Sequence, residues 1–445
     1  MKIDLPEKAE QVLNVLMQAG YEAYAVGGCV RDSALGKAPV DWDITTSAKP
    51  EQVKALFKRT VDTGIAHGTV TVLLDKEGFE VTTYRIDGTY EDARHPKEVI
   101  FTPNLLEDLK RRDFTINAMA YNPVNGLVDA FDGMEDLKRG VIRCVGNPAE
   151  RFGEDALRMM RAVRFAAQLG FTIEKETFQA ICKLSGTLEK ISAERIQTEL
   201  VKLLVSDHPE EMRTLWQTGI TAVVLPEFDA MMATEQHNIH HCYTVGEHTI
   251  HALMQVHRDK VLRLVMLFHD VAKPLCLTTD ENGQDHFHGH PKKGSQMTHQ
   301  ILRRLKFDNE TIRRVCSLVE WHDDNPPLTK RAVRRAVVRA GQMSYPDLFE
   351  VKRADILAQS DYRREEKLAY VTQYEACYRE IISDGDCLDL KHLAVTGKDL
   401  IEDGVAPGPQ LGQILGQLLE LVIAEPEKNT KDILLEESRS IRKGK

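Results

Sequence analysis

The feature that most constrains the fold is a change in hydrophobic pattern near residue 140. Before it, short runs rich in β-branched and aromatic residues predict strands at 21–26, 38–45, 69–74 and 79–85. After it, apolar residues recur every three or four positions, which predicts helices at 193–205, 261–271 and 411–423. The 445 residues therefore predict a mixed α/β head followed by a long all-helical remainder.

Composition and charge exclude several classes of protein. With 42% hydrophobic and 28% charged residues, the chain is typical of globular rather than disordered proteins. No apolar run approaches the roughly 20 residues of a membrane helix, and the charged first ten residues do not resemble a signal peptide. The eight cysteines form no C-x-x-C pair, which disfavours a zinc ribbon. We expect a cytoplasmic protein with no membrane partner, and the net charge of −10 taken alone disfavours nucleic acid.

Two aspartates separated by one residue predict a metal site. On a strand, residues i and i+2 project from the same face, so Asp41 and Asp43 converge after a Gly27-Gly28 pair that lets a phosphate approach a helix start. Adjacent carboxylates are costly unless a cation lies between them, and hard oxygen ligands suit Mg²⁺. The alternative is an exposed edge strand with alternating acids. Glu80, on a later strand, is either a third carboxylate or a solvated glutamate.

Six motifs follow one another along about the first 205 residues: GGCVRD (27–32), DWDIT (41–45), TGIAHGTVTV (63–72), RRDFTINA (111–118), EDALRMMRAVRFA (154–166) and ISAERIQTEL (191–200). This series resembles the bacterial-type, class II CCA-adding tRNA nucleotidyltransferases. The resemblance implies an α+β fold with a DNA-polymerase-beta-like nucleotidyltransferase head, an all-α neck and a helical C-terminal region. It also implies Mg²⁺ as cofactor, and tRNA, CTP and ATP as substrates, with release of pyrophosphate.

The segment from Glu154 to Arg158 offers a way to choose bases without a template. If it opens a helix, Asp155 and Arg158 are i and i+3 neighbours, so a carboxylate acceptor lies beside a guanidinium donor. Cytosine and adenine both present an amine beside an unprotonated ring nitrogen, whereas uracil and guanine present a carbonyl beside an N–H. The alternative is a salt bridge on a helix surface. Arg161 and Arg164 drift around the same helix and would wall the site or meet phosphate.

The resemblance also implies a set of nucleotide-binding residues: Gly28, Arg31, Arg112, Asp155, Arg158, Arg161 and Arg164. Asp113 and Asn117 either sense ribose hydroxyls or brace the fold. Residues 86–98 resemble the family's flexible loop, which is associated with the switch from C to A addition. This loop favours complete CCA addition over the alternative activity of a poly(A) polymerase.

Eleven of the sixteen histidines lie between residues 237 and 299, and such crowding indicates a metal. His248, His269-Asp270 and Asp355 resemble the ligands of HD-domain metal-dependent phosphohydrolases. That resemblance implies a second divalent metal of unknown identity and an accessory hydrolase activity. An alternative for the whole chain is such a phosphohydrolase with an RNA-binding head. His290 and His322 would bind a second ion or the substrate, but we predict surface positions in polar loops for both.

We predict four domains: a catalytic head at 1–140, a neck with the base-selecting motif at 141–225, an HD domain at 226–365, and a tRNA-binding C-terminal body at 366–445. Residues 329–340 carry five basic residues and no acid, which indicates a contact with RNA. The oligomeric state is left open.

Overall fold

The structure is a computed structural model that describes residues 1–87 and 99–443. The chain forms two compact units, Met1–Asp229 and Ala230–Lys445, and each is described by itself. Within the described ranges, no helix has both the length and the apolar character needed to cross a membrane.

The first unit is built on one mixed sheet. Its strands and those of two small neighbouring pairs are β1 (Ala23–Val26), β2 (Ile44–Thr46), β3 (Thr60–Gly64), β4 (Thr69–Leu74), β5 (Glu77–Thr83), β6 (Arg85–Asp87), β7 (Val99–Phe101), β8 (Met119–Asn122), β9 (Gly126–Asp129), β10 (Val141–Ile142) and β11 (Thr172–Ile173). Seven of them form the sheet in the order β3-β4-β5-β2-β1-β8-β9. The β2–β5 pair is parallel and its other pairs are antiparallel. Separately, β6 pairs with β7, and β10 with β11.

The helices of the first unit are interspersed with its strands up to β11, and the helices after β11 follow one another directly. They are α1 (Glu7–Gln18), α2 (Gly28–Ala34), α3 (Pro50–Leu56), α4 (Leu105–Lys110), α5 (Gly133–Arg139), α6 (Pro148–Glu154), α7 (Leu157–Leu169), α8 (Lys175–Leu184), α9 (Ala193–Leu204), α10 (Met212–Gln217), α11 (Ile220–Val224) and α12 (Pro226–Met232). In α1, Val12, Leu13 and Leu16 lie on one helical face and are completely buried. They share a core with Ile44 and Val81 of the sheet, which places β2 at the centre of the unit.

The central residues of the predicted strands are confirmed, but one predicted strand begins later than expected, next to the two aspartates. The strand predicted at 69–74 is confirmed, but the one predicted from Ala38 begins only at Ile44. Gly36, at φ +70°, lies two residues after the end of α2, and Pro39 has no N–H to donate to a neighbouring strand. The segment with Asp41 and Asp43 is therefore an irregular approach to β2 rather than part of the strand.

Gly133 is required by close packing at the start of α5. A Cβ atom there would lie 2.4 Å from the carbonyl oxygen of Thr115 and 2.9 Å from Cγ of Met119. We expect Gly133→Ala to lower the free energy of unfolding by about 2–4 kcal/mol in urea denaturation, because backbone atoms must move to admit the methyl group. Gly153→Ala is the matched control, since nothing lies within 4 Å of its Cβ position. Equal stability of the two variants would contradict this assignment.

The second unit is helical, as predicted. Its elements are α13 (Val245–Leu253), α14 (Lys260–Phe268), α15 (Lys273–Cys276), β12 (Thr278–Thr279), β13 (Asp285–His286), α16 (His290–Arg304), α17 (Asn309–Trp321), α18 (Lys330–Ala340), α19 (Tyr345–Ala358), α20 (Arg364–Ser383), α21 (Gly397–Glu402), α22 (Pro409–Ala424) and α23 (Lys431–Arg442). Every residue of α14 from Val261 to Phe268 is buried, which is typical of a central core helix. A second core lies between α21, α22 and α23.

The basic run predicted to contact RNA is largely neutralised within this unit. On α18, Lys330 lies 2.8 Å from Asp384, and Arg334 lies 2.6 Å from Asp386. Two further arginines pair in the same way, Arg335 with Glu420 at 3.2 Å and Arg339 with Asp324 at 2.7 Å. These four side chains therefore hold α18 to its neighbours, and the RNA contact expected at 329–340 stays a prediction.

Candidate active site and histidine centre

Three carboxylates, those of Asp41, Asp43 and Glu80, lie near enough to one another beside β2 for the charges of the other two to act on Asp43. The backbone carbonyl of Asp43 accepts a hydrogen bond from Val26 N at 3.0 Å, which fixes the approach to the strand. Glu80 lies on β5, one residue before Val81, which pairs with Ile44. Partial burial, and then the negative charges of Asp41 and Glu80, raise the pKa of Asp43 to about 6, although Arg112 opposes this shift.

This electrostatic strain is what a cation would relieve. All three side chains keep access to solvent, so their oxygen atoms are open to a ligand. Two or three carboxylates with room for water and phosphate oxygens form the donor set that Mg²⁺ prefers. The residues present therefore fit a divalent cation. The position of Glu80 favours the third-carboxylate alternative over a merely solvated glutamate.

Arg112 lies against the turn that precedes α2. Gly27 has φ +79°, and a Cβ atom there would lie 3.0 Å from Nη1 of Arg112, so only glycine permits this close approach. Burial lowers the pKa of Arg112, although the negative charge of Asp108 opposes this shift. The buried Nε atom of Arg112 has no hydrogen-bond partner. On α2, which begins at Gly28, Arg31 donates to Oδ1 of Asn117 at 2.8 Å.

Asp113 is a buried brace. Its Oδ2 accepts bonds from Nε and Nη2 of Arg161 at 2.8 and 2.6 Å, and its Oδ1 accepts from the N–H of Phe114 at 2.9 Å. Burial alone would raise the pKa of Asp113, but the charges of Arg161 and Arg158 hold it at about 2. These contacts favour the bracing alternative for Asp113 over ribose sensing.

Arg164, predicted beside Arg161, is a buried link between helices. Its Nε donates to Glu199 of α9 at 2.6 Å, and its guanidinium lies 3.7 Å from the centre of the Phe165 ring. Such a paired and stacked arginine holds α7 against α9. Its position suits a wall of the site rather than a direct phosphate contact.

Asp155 comes just before α7 and Arg158 lies in its first turn, where the backbone N–H of Arg158 donates to the carbonyl of Asp155 at 3.0 Å. The two residues therefore flank the start of one helix, but their side chains have different partners. Helix α6 ends at Glu154, Asp155 is extended at φ −144°, and α7 begins at Leu157. Asp155 instead accepts from the N–H of Leu157 at 3.1 Å, as a short acidic side chain often does at a helix start. Arg158 donates to Glu154 at 2.6 Å and to the carbonyl of Arg111 at 3.0 Å.

Arg195 is a partner of Asp155 that the sequence did not predict. It lies on α9 and donates to both carboxylate oxygens of Asp155, at 3.2 and 2.7 Å. The available signal was the spacing of Arg195 and Glu199, because residues i and i+4 lie on one helical face and both have partners at or next to α7. The two hydrogen bonds from Arg195 fix the position of the Asp155 carboxylate.

The four predicted metal ligands of the second unit come together in one buried cluster. Nε2 of His248, on α13, lies 3.1 Å from Nε2 of His269 and 3.0 Å from Oδ1 of Asp355. Nε2 of His269 lies 3.2 Å from Oδ2 of Asp270. The His269-Asp270 pair follows the last residue of α14, as the Lys273-Pro274 break predicts.

His290 and His322 belong to the same cluster, and the prediction of surface positions for both is wrong. They are 8% and 4% exposed. Their Nε2 atoms lie 3.3 and 3.8 Å from Oδ1 of Asp270, on the other side of the carboxylate from His269. The difference arises because His290 begins α16 and His322 follows α17, and α16 and α17 pack closely against one another.

The four imidazoles share one orientation. Each Nδ1 lies within hydrogen-bond distance of a backbone carbonyl, at 3.2 Å for His248, 2.8 Å for His269, 2.8 Å for His290 and 2.7 Å for His322. A carbonyl can only accept, so Nδ1 carries the proton and Nε2 presents its lone pair to the centre. Burial opposes a charged imidazole, but Asp270 and Asp355 outweigh it and raise the pKa of His269. Burial, and then the neighbouring His269 and His290, lower the pKa of His322 to about 3, so this imidazole stays neutral. The nitrogen and carboxylate oxygen atoms of the cluster fit a divalent metal.

A cavity of about 940 Å³ opens onto this cluster. Its lining includes three lysines, Lys273, Lys352 and Lys367, beside Asp270 and Asp355. Cations next to a metal centre suit a phosphate ester, and the volume is in the usual range for small-molecule sites.

Comparisons with known proteins agree along the whole chain. Residues 23–143 match the family model of the poly A polymerase head domain, 170–232 that of a probable RNA and SrmB-binding site of polymerase A, and 292–437 that of tRNA nucleotidyltransferase domain 2. The CCA-adding enzyme of Levilactobacillus brevis is 39% identical over 438 residues, 96% of each chain. That of Lactiplantibacillus plantarum is 37% identical over 441 residues, 98% of this chain and 96% of its own.

Solved structures are similar too. The CCA-adding enzyme of Bacillus stearothermophilus in complex with CTP has a TM-score of 0.75 at 30% identity and covers 99% of both chains. The CCA-adding enzyme of Thermotoga maritima, complexed with tRNA, has a TM-score of 0.58 at 20% identity, covers 99% of both chains and shares the fold. The predicted polymerase-beta-like head is confirmed by this similarity.

Proposed function

This chain belongs to the family of CCA-adding enzymes, and we propose that Asp41, Asp43 and Glu80 are the metal-binding carboxylates with which it adds CCA to the 3′ end of tRNA. The observation that carries the proposal is the environment of Asp43 beside β2, where burial and then the charges of Asp41 and Glu80 raise its pKa to about 6. The nucleotides consumed are CTP and ATP, and each addition releases pyrophosphate. The substrate tRNA places the proposed activity in the cytoplasm.

In each addition, the terminal 3′-oxygen of the RNA attacks the α-phosphorus, and the bond to the pyrophosphate oxygen breaks. Mg²⁺, held by Asp41, Asp43 and Glu80, would favour loss of the hydroxyl proton and neutralise charge on the leaving group. Arg112 lies close enough to Asp43 for its charge to oppose the rise in the pKa of Asp43, and we assign Arg112 to the triphosphate. Arg31, on the adjacent α2, would meet the phosphate or the ribose.

Asp155 and Arg158 are proposed to read the base. The carboxylate of Asp155 accepts three bonds, and a carboxylate has about four lone-pair sites, so one remains for the exocyclic amine of C or A. Arg158 retains N–H groups beyond those that it donates to protein atoms, and one would meet the unprotonated ring nitrogen. Uracil and guanine would leave both charged groups unpaired, which is strongly unfavourable.

We expect Arg158→Ala to lower the preference for CTP over UTP by about 100-fold or more, because the selective donor is lost. The measurement is single-nucleotide addition to tRNA lacking CCA, with each labelled nucleoside triphosphate in turn. Lys183→Ala, an exposed cation on α8, is the control and should leave the preference unchanged. A variant Arg158→Ala that still rejects UTP would contradict the role of this arginine. Addition of A alone by the wild type would favour a poly(A) polymerase.

For the second unit, we propose a metal-dependent phosphohydrolase centre formed by His248, His269, Asp270 and Asp355. The supporting observation is the common orientation of the imidazoles toward the buried carboxylate of Asp270 and the partly buried carboxylate of Asp355. A divalent metal there would polarise a phosphate ester and activate water. His290 and His322 face the other oxygen of Asp270 and would hold a second ion or orient the substrate.

A further inference from the structure

Asp108 is a buried carboxylate of the first unit that the proposed chemistry does not use. It lies on α4, and its side chain has no exposed surface. Removing an ionised carboxylate from water costs several kcal/mol unless partners replace the water. The identity of those partners therefore indicates what this charge holds in place.

Each oxygen of Asp108 has its own partners. Oδ1 accepts from Nε and Nη2 of Arg111 at 3.0 and 2.7 Å and from the N–H of Arg85 at 3.4 Å. Oδ2 accepts from the hydroxyl of Thr45 at 3.1 Å and lies 3.7 Å from Nη2 of Arg112. Burial alone would raise the pKa of Asp108, but the charges of Arg111 and Arg112 hold it below its usual value, so the group is ionised.

These partners lead to each part of the active site. Thr45 lies on β2, two residues after Asp43, and its backbone pairs with β1 and β5. Arg112 is the guanidinium packed against Gly27. The carbonyl of Arg111 accepts a bond from Nη2 of Arg158 at 3.0 Å. Asp108 is thus one or two contacts away from β2 beside the proposed metal ligands, from Arg112, and from Arg158.

We propose that Asp108 is a positioning residue that fixes Arg112 and Arg158 relative to the metal-binding carboxylates. Its two-bond contact with Arg111 orients the end of α4, and therefore the carbonyl that holds Arg158. Its negative charge also offsets the repulsion between two adjacent guanidinium groups. The inference rests on the proposed roles of Arg112 and Arg158.

Asp108→Asn tests this role, because it keeps the shape of the side chain and removes the charge. We expect KM for CTP and for ATP to rise about tenfold and the preference for CTP over UTP to fall about fivefold or more. Combined with Arg158→Ala, it should cause no further loss of preference, because the two act through one contact chain. Glu107→Gln, the neighbouring acid on α4, is the matched control and should change neither quantity.

A purely structural role gives a different result. It would lower kcat in proportion to the folded fraction and leave KM and the base preference unchanged, and that outcome would overturn the proposal. If Asp108→Asn does not fold, Arg111→Lys and Thr45→Val break the same contacts singly, and each should lower the preference. If only Arg158→Ala loses the preference for CTP over UTP, Asp108 does not have the proposed role. If Arg158→Ala keeps that preference, Arg158 does not read the base.

Discussion

Replacing Asp43 by asparagine is expected to lower the rate of C and A addition by about 10³-fold or more. The variant keeps the shape of the side chain but loses a charge that a divalent cation needs, and several kcal/mol of transition-state stabilisation correspond to this factor. Glu80→Gln, on the neighbouring strand β5, is expected to lower the rate less, by about 10–100-fold, because two carboxylates remain. The measurement is incorporation of labelled CTP and ATP into tRNA lacking CCA, at saturating Mg²⁺.

Glu77→Gln is the matched control, because Glu77 is an exposed glutamate on the same strand as Glu80 and pairs with Lys8. It should retain wild-type activity. Nearly full activity of Asp43→Asn would contradict the assignment of the carboxylates.

The pH dependence of metal binding at this site has a definite sign. Because the pKa of Asp43 is raised to about 6, protons compete with the cation as the pH falls through this value. The Mg²⁺ concentration for half-maximal addition should therefore rise below pH 6, by up to about tenfold per pH unit for one proton. It should be nearly constant above pH 7.

The second large effect concerns the histidine centre. We expect His269→Ala to lose the metal of the second unit and to lower phosphomonoester hydrolysis by about 100-fold or more, because Nε2 of His269 faces both His248 and Asp270. Addition of CCA by the same preparation should be unchanged. Metal content is measured by mass spectrometry of the full chain after loading with Mn²⁺ or Ni²⁺, alongside hydrolysis of p-nitrophenyl phosphate.

His299→Ala is the control, since His299 is an exposed histidine on α16. His322→Ala separates one ion from two: a fall in metal content from two per chain to one indicates that Asp270 bridges two ions. A wild-type chain that binds no divalent metal would contradict the proposed centre, and hydrolysis that survives His269→Ala would contradict its role in the activity.

Local sequence patterns predicted much of the secondary structure. The end of strong strand signals near residue 140 is confirmed, since the later strands have two residues each. The predicted helices at 193–205 and 411–423 are confirmed as α9 and α22. The loop predicted at 86–98 lies outside the described residues from 88 onward, and the four domain boundaries stay predictions.

The sequence by itself determined the order of the motifs and the α/β head with its helical remainder. These follow from residue type and from the periods of strands and helices, which are local properties. The tertiary structure alone decided that the charge of Glu80 acts on Asp43, that Arg195 holds Asp155, that His290 and His322 are buried, and that four basic residues of α18 form ion pairs. These contacts join residues of different elements that are 15 or more positions apart in the chain. Which of them meet depends on how the elements pack, which no local period encodes.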